Sequence, residues 1–273
     1  MPGHAQAAIA AYPELGVTGQ PLEVWTQWGV NPNIFNPSEK TILFLQNVLT
    51  EVLELFPGKF IHVGGDEAIK DEWKASPEVQ ARIKELGLKD EREMQSYFTH
   101  RMDAFLAAKG RRLFGWDEIL EGGLAPGATV MSWRGIEGGI TAAKAGHDVV
   151  MSPTTNAYLD YAQSQDPGEL PGIGGNLPLD VVYGFEPVPA ALTAEEARHI
   201  LGAQANIWTE YIASLGHIEY MAFPRLAAMA EVGWTAPGRK NYDDFVARIL
   251  VHEQRLQSTG VNYRAIKRPP GKA

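Results

Sequence analysis

Apolar residues between Ser38 and Pro57 recur every three or four positions, as they do on one face of a helix. Ser38 is a favourable N-cap residue and Pro57-Gly58 stops the pattern, so the spacing predicts a helix between them. The short apolar run 60–63 that follows predicts a strand. The same alternation continues and predicts helices at 5–12, 93–108, 138–145, 217–231 and 243–257, strands at 113–116, 129–133, 149–151 and 203–207, and long loops at 16–37 and 163–189.

Strands that alternate with helices predict a parallel sheet. Each predicted strand leads into polar or aromatic residues, which favours an α/β barrel with its active site at the carboxyl ends of the strands. An open, doubly wound sheet is the alternative, but no predicted strand is followed by a glycine-rich phosphate turn. The polar and aromatic endings are Gly65-Asp66-Glu67, Trp116-Asp117-Glu118, Ser132-Trp133-Arg134-Gly135, Tyr158-Leu159-Asp160 and Asn206-Ile207-Trp208-Thr209-Glu210.

The composition is that of an ordinary globular protein, with 273 residues, 45% hydrophobic and 21% charged. A net charge of −9 disfavours nucleic acids and anionic membranes as partners. The absence of cysteine excludes disulfides and thiolate metal sites, and the seven histidines lack zinc-ligand spacing. No apolar run approaches the roughly 18 to 20 residues of a membrane span. The start lacks the basic region of a signal peptide, which leaves open whether a full-length protein is periplasmic or secreted.

The run His62-Val63-Gly64-Gly65-Asp66-Glu67 places two adjacent carboxylates directly after a predicted strand. Alternate strand residues point to opposite faces, so Asp66 and Glu67 can face one pocket only where the chain leaves strand geometry. The two glycines permit that departure. The alternative is that the carboxylates cap a helix that starts near Ala68. The flanking histidine and paired glycines favour an active site.

Four aromatic residues fall at or just past predicted strand ends, together with further carboxylates. Indole rings stack on the apolar face of a sugar while carboxylates bind its hydroxyl groups, so the combination predicts a carbohydrate site. Core packing is the alternative for any single tryptophan, and we interpret the tryptophans elsewhere, Trp25, Trp28, Trp73 and Trp234, as packing or loop anchors. The candidate sugar-binding residues are Trp116, Trp133, Trp208, Tyr158, Asp160 and Glu210.

Five ordered motifs, at residues 62–67, 115–118, 132–135, 158–160 and 208–210, resemble those of glycoside hydrolase family 20, the β-N-acetylhexosaminidases. The resemblance extends from Met1 to about Ala236. It implies a (β/α)8 barrel of the TIM type that removes terminal β-linked N-acetylglucosamine or N-acetylgalactosamine, with retention of configuration, from chitooligosaccharides or glycan ends. It implies neither a cofactor nor a metal.

The resemblance also implies a role for each candidate residue. The substrate's acetamido oxygen is the nucleophile and forms an oxazolinium intermediate, an exception to the usual carboxylate nucleophile. Glu67 is then the general acid and base, Asp66 accepts the acetamido N–H, and Tyr158 donates to the acetamido oxygen. By the same resemblance, the acetamido methyl and the sugar ring are enclosed by Trp116, Trp133 and Trp208. Distal hydroxyls are bound by Asp160 and Glu210, and the carboxylates are supported by His4 and His62.

The chain departs from the family pattern at its start. Pro2-Gly3-His4 resembles the element that closes the third barrel strand, so we expect residues 1–273 to be one partial catalytic barrel, without its first two strands and most of the third. The family's first-strand arginine has no counterpart here, and the loop 163–189 has no tryptophan. An open barrel edge predicts self-association. The alternatives are an inactive fragment, a noncatalytic carbohydrate-binding remnant, and a metal hydrolase that uses His62, Asp66 and Glu67.

Overall fold

The computed structural model describes residues 1–266 and gives an α/β chain. In this part of the chain, the five strands are β1 (Phe60–His62), β2 (Arg112–Trp116), β3 (Thr129–Ser132), β4 (Val149–Met151) and β5 (Ile200–Ala203). The helices are α1 (Gln6–Ala11), α2 (Glu39–Leu55), α3 (Asp71–Ala75), α4 (Pro77–Glu85), α5 (Glu91–Ala108), α6 (Glu137–Lys144), α7 (Thr154–Ala157), α8 (Leu179–Gly184), α9 (Leu215–Ala222), α10 (Arg225–Trp234) and α11 (Tyr242–Ser258).

The two long helices α2 and α5 begin at side-chain caps. The Ser38 hydroxyl accepts from the N–H of Thr41, and Asp90 accepts from the N–H groups of Arg92 and Glu93. Each helix buries one apolar face, which holds Ile42, Leu45 and Leu49 on α2 and Met94, Phe98, Met102 and Leu106 on α5. The helix predicted after Ser38 and the helix predicted at 93–108 are therefore confirmed as α2 and α5, and the Asp90 cap of α5 was not predicted.

The chain forms two compact units. The first consists of Met1–Met131 with Thr141–Val149. In it β1 pairs in parallel with β2, and β2 in parallel with β3. The N–H of Val130 then donates to the carbonyl of Asp148 at 2.9 Å, just before β4. Because the strands are parallel, their carboxyl ends lie at the same edge of this sheet, where β1 leads into Asp66 and Glu67 and β2 ends in Trp116.

The second unit consists of Ser132–Ile140 and the chain from Val150 onward. Here the N–H of Ser152 donates to Ser132 at 2.8 Å, and the N–H of Gln204 donates to Met151 at 2.9 Å. In the same unit, α10 buries Ala228, Met229 and Val232, and α11 buries Phe245, Ile249 and Leu256. No helix among residues 1–266 is long and apolar enough to cross a membrane.

Three predicted elements differ from the structure. The last strand is Ile200–Ala203 rather than 203–207, because the chain leaves the strand after Ala203 and returns only at Asn206, as an isolated bridge to Tyr158. The predicted helix 217–231 is two helices, since proline at 224 has no N–H to continue the first. The loop 163–189 contains α8, and the helices α3 and α4 were not predicted.

Of the tryptophans outside the strand ends, the prediction of a packing role is confirmed for Trp73. Trp73 is fully buried, and its indole N–H donates to the carbonyl of Phe35 at 2.9 Å. By contrast, Trp25, Trp28 and Trp234 are exposed, the last of them by 92%. Apolar character alone did not separate the buried ring from the exposed ones, because burial depends on what the rest of the chain places around each ring.

Candidate active site

The segment after β1 turns sharply at its glycines. Val63 still donates to the carbonyl of Phe114 at 2.8 Å, but Gly64 and Gly65 then adopt φ values of 75° and 104°. A Cβ atom on Gly65 would lie 2.5 Å from Cγ2 of Ile119, so this position has neither the backbone conformation nor the space for a side chain. The chain thus leaves strand geometry where the sequence indicated.

This turn brings the two carboxylates to one histidine. Nε2 of His4 lies 3.0 Å from Oδ2 of Asp66 and 3.3 Å from Oε2 of Glu67. The alternative that these carboxylates cap a helix is wrong, because α3 begins only at Asp71. The turn therefore places both carboxylates within reach of one imidazole nitrogen, with Asp66 the nearer of the two.

His4 and Glu67 both have left-handed backbones, with φ of 54° and 49°. Such a conformation costs a non-glycine residue about 1–3 kcal/mol and is concentrated at functional sites. The surrounding structure holds the turn, since the buried amide of Gln95 on α5 donates to the carbonyl of Gly65 at 2.7 Å. The sequence analysis did not identify Gln95, although a polar residue beside Met94 and Phe98 on the buried face of a helix was a signal that could have indicated it.

The hydrogen bond between His4 and Asp66 favours their charged forms. It raises the pKa of His4, against the opposing effect of partial burial. Burial alone would raise the pKa of Asp66, but the bond from His4 and the charge of His4 outweigh it, so that the pKa of Asp66 is lowered. The pair is therefore an imidazolium donating to a carboxylate in weakly acidic solution.

His62 does not contact the carboxylates in the same way. Its Nδ1 accepts from the N–H of Gly64 at 3.1 Å, and its ring packs edge-on against Trp116 with centroids 5.0 Å apart. Part of the ring is exposed, but desolvation by the surrounding protein lowers its pKa, so His62 is neutral at neutral pH. The structure places His62 beneath the turn and against the buried Trp116.

A group that could bind a metal ion lies at the same turn, where single ligand atoms of His4, Asp66 and Glu67 are all within 4.8 Å of one another. The metal-hydrolase alternative used His62 instead, which the structure places elsewhere. The nitrogen of His4 that would face an ion already bonds to Asp66, so the geometry fits a hydrogen-bonded histidine–aspartate pair as well as it fits a metal site.

The second unit brings together the aromatic and acidic residues that follow β3, β4 and β5. The rings of Trp133 and Tyr158 are stacked, with centroids 6.3 Å apart and an angle of 22° between their planes. Burial raises the pKa of the Tyr158 hydroxyl, so it remains a hydrogen-bond donor at any physiological pH. Trp208 and Glu210 are exposed on the segment after β5.

Asp160 is a buried acid whose carboxylate pairs with no other side chain in the described part of the chain. The residue is 1% exposed, and its oxygens lie near the backbone N–H groups of Asp160 and Trp208 without a well-formed hydrogen bond to them. Burial raises its pKa to about 6, although nearby backbone N–H groups and the charge of Arg225 favour ionisation. Buried polar groups are nearly always paired, so an unpaired carboxylate is expected where a ligand supplies the partner.

Two further residues support this group and were not identified from the sequence. Asn206 accepts from the N–H of Leu159 at 2.7 Å, and its side chain donates to Ser152 at 2.7 Å. Arg225 is fully buried at the start of α10. A charged residue inside the apolar run 220–230 was the available signal for Arg225, whereas nothing in the sequence distinguished Asn206 from an ordinary loop residue.

Comparison with known proteins matches this arrangement to one family. The family model "Glycosyl hydrolase family 20, catalytic domain" matches residues 1–237, which is most of the chain. The chain belongs to glycosyl hydrolase family 20. A "Beta-hexosaminidase" of Porphyromonas gingivalis is 47% identical over 96% of this chain, and one of Vibrio furnissii is 36% identical over 85%.

A family 20 structure is also similar, the exo beta-N-acetylglucosaminidase of Vibrio harveyi in complex with N-acetylglucosamine. It superposes with a TM-score of 0.86 at 33% identity, over 97% of this chain and 42% of that one. The chain spans only 34% and 39% of the length of the Porphyromonas and Vibrio furnissii relatives. The family 20 relatives are thus much longer than the segment they share with this chain.

Proposed function

We propose that the protein is a retaining, exo-acting β-N-acetylhexosaminidase. Its substrates are terminal β-linked N-acetylglucosamine or N-acetylgalactosamine residues on chitooligosaccharides or glycan ends. Similarity to two enzymes named beta-hexosaminidase supports this, as does the similarity to a Vibrio harveyi enzyme whose structure contains N-acetylglucosamine. The parallel strands of each unit support a (β/α)8 barrel with these residues at the carboxyl ends of its strands.

The observation that carries the proposal is the convergence of Asp66 and Glu67 on His4. Glycosidases that use a carboxylate nucleophile hold their two carboxyl groups about 5–5.5 Å apart, on opposite sides of the sugar. Here the facing oxygens of two adjacent residues are within 4.8 Å and bond to the same nitrogen. Two carboxylates held on one turn and facing one histidine suit a site in which both act from the same side of the sugar, and we infer that the nucleophile is the substrate's own acetamido group.

In this mechanism Glu67 protonates the departing glycosidic oxygen. The acetamido oxygen attacks the anomeric carbon as that bond breaks, and an oxazolinium ion results. Glu67, now ionised, removes a proton from water, and the water opens the oxazolinium ring with overall retention of configuration. The partial exposure of Glu67 allows water to reach it between the two steps.

Asp66 accepts the acetamido N–H and stabilises the positive charge that develops on that group. The bond from His4 keeps Asp66 ionised and fixes its direction. Tyr158, whose raised pKa keeps its proton in place, donates to the acetamido oxygen. These contacts hold the nucleophile in line for attack, which is an entropic contribution to the rate.

The remaining residues bind the sugar. Trp116, Trp133 and Trp208 enclose the acetamido methyl group and the ring face, and Glu210 binds a distal hydroxyl. Asp160 binds another hydroxyl, which supplies the partner that its buried oxygens lack. His62 supports the turn through Gly64 rather than touching the substrate.

The test compares hydrolysis of an aryl N-acetyl-β-glucosaminide with that of the matching β-glucoside by the purified protein. We expect turnover of the first only, because the second lacks the nucleophile. A thiazoline mimic of the oxazolinium ion should inhibit competitively, since it resembles the intermediate. Comparable turnover of both substrates, or no inhibition by millimolar thiazoline, would contradict the mechanism.

A matched pair of variants separates a specific effect from loss of charge. Asp66→Asn should reduce turnover by at least a hundredfold, whereas Asp71→Asn removes an exposed carboxylate from the same segment and should retain activity. Equal losses in both variants would show that Asp66 acts only through general electrostatics or folding.

A further inference from the structure

The segment Tyr158–Tyr161 carries two residues of the proposed sugar site, and its backbone is held from several sides. The carbonyl of Tyr158 accepts from the N–H of Tyr161 at 3.2 Å, and that of Asp160 accepts from Ile173 at 3.2 Å. The two other carbonyls, those of Leu159 and Tyr161, accept from the guanidinium of Arg225 at 2.5 and 2.8 Å. Half of the carbonyls in this segment thus depend on one side chain.

Within residues 1–266, Arg225 makes no hydrogen bond to a carboxylate. Its other bonds go to the carbonyls of Leu177 at 2.9 Å and Met221 at 2.7 and 3.2 Å, so that all five of its N–H groups donate to backbone. The residue is fully buried, and burial lowers its pKa to about 9. The charges of Asp160 and Glu169 favour its ionisation, but burying a guanidinium that no carboxylate hydrogen-bonds is still costly and is a poor way to stabilise a core.

The arrangement suits a different task, which is to fix the shape of a turn. Carbonyls from three segments, at 159 and 161, at 177 and at 221, all accept from a single rigid guanidinium. Gly172 packs against the same turn, since a Cβ atom there would lie 2.5 Å from the carbonyl oxygen of Asp160. The turn therefore has little freedom to move while Arg225 is in place.

We propose that Arg225 is a positioning residue, which holds the backbone of Tyr158–Tyr161 so that Tyr158 and Asp160 meet the sugar in fixed places. The effect of Arg225 on catalysis rests on the proposed function. Its effect on the mobility of the turn rests only on the hydrogen bonds described above.

The test uses Arg225→Lys and Arg225→Met in the full chain, with Arg248→Met as the matched control. Arg248 lies in the same unit and bonds to Glu231 at 2.6 and 2.7 Å, without contact to the turn. Amide hydrogen exchange of peptides covering 157–163 should be at least tenfold faster in both Arg225 variants, and unchanged in Arg248→Met. Lysine should not restore protection, because it lacks the planar fork.

Steady-state kinetics with an aryl N-acetyl-β-glucosaminide give the second measurement. A misplaced Asp160 weakens binding, so KM should rise at least tenfold, whereas a simple loss of folded protein lowers apparent kcat and leaves KM unchanged. Guanidinium ion should partly reverse the rise in Arg225→Met, and urea at the same concentration should not.

The outcomes are distinct. Unchanged exchange at 157–163, or a KM within twofold of wild type in folded variants, overturns the proposal. If neither variant melts cooperatively, Arg225 holds the whole fold rather than this turn, and the proposal is equally wrong. If the wild-type protein hydrolyses no N-acetylhexosaminide, the proposed function fails, while the exchange pattern still decides whether Arg225 fixes the turn.

Discussion

Replacement of Asp160 by asparagine should make the protein increasingly stable relative to wild type as the pH rises, and should weaken sugar binding. Asp160 is buried, and its oxygens make no hydrogen bond in the described part of the chain. Burial raises its pKa from 3.8 to about 6. Ionisation of Asp160 is therefore less favourable in the folded state than in the unfolded state.

The sign and size of the pH dependence of stability follow from the linkage between proton binding and folding. A raised pKa means that the folded protein binds more protons than the unfolded chain between pH 3.8 and about 6, so stability falls as the pH rises through that window. The shift is about 2 pKa units, and at about 1.4 kcal/mol per unit the cost of the charge reaches about 3 kcal/mol above pH 6. Asp160→Asn carries no charge and escapes this cost.

The assay is urea unfolding of wild type and Asp160→Asn at intervals from pH 4 to pH 8. The free energy of unfolding of the variant relative to wild type should increase by about 2.5 kcal/mol between those limits, because about 0.5 kcal/mol of the cost is already present at pH 4. Any constant penalty for burying the asparagine amide cancels in this comparison. Asp71→Asn, an exposed position, is the reference for removal of one surface charge.

The same substitution should cost sugar affinity, since a charge-assisted hydrogen bond contributes about 1.5–3 kcal/mol, or at least about tenfold in binding. Profiles that run parallel from pH 4 to pH 8 would refute the reasoning, because they would show that Asp160 titrates alike in the folded and unfolded states. A stabilised variant with unchanged affinity would instead remove Asp160 from the sugar site.

Three further predictions concern the other site residues. Glu67→Gln should abolish hydrolysis of substrates with poor leaving groups and spare activated aryl glycosides, whereas Asp66→Asn should slow both. The measurement is the rate of each variant over a series of leaving groups, and the same dependence on the leaving group in both variants would contradict these roles. His4→Ala should lower the free energy of unfolding by about 0.5–1 kcal/mol between about pH 4 and pH 6.5, because His4 is half exposed. The raised pKa of His4 removes this contribution as the pH rises further, and the lowered pKa of Asp66 removes it as the pH falls, so a pH-independent difference in urea unfolding would disprove the ion pair. Trp133→Ala should raise KM about tenfold with a smaller effect on kcat, because the indole ring stacks on the bound sugar. Titration with N-acetylglucosamine measures the affinity, and an unchanged affinity would mean that the ring only packs against Tyr158.

The pattern of apolar positions predicted most of the secondary structure where signals were local. Ser38, the capped helix α2 and its end before Pro57 could be predicted, because a cap, a period and a breaker all lie within one stretch of chain. Pro224 was equally visible, yet the apolar run on either side of it led to a single helix in the prediction. The strand β5 was misplaced because a four-residue strand has too little pattern to fix its ends.

The sequence by itself determined which reactive and aromatic groups this protein carries and where along the chain they lie. The adjacent Asp66 and Glu67 after two glycines, and aromatic residues following the strands, are properties of the chain that no packing can change. Only the tertiary structure decided how these groups behave. Residues distant in sequence, His4 beside Asp66 and Arg225 beneath the turn of Asp160, were brought to them by folding. Ionisation and direction depend on such neighbours and on the removal of water, and neither is encoded within the few residues that surround a side chain in the sequence.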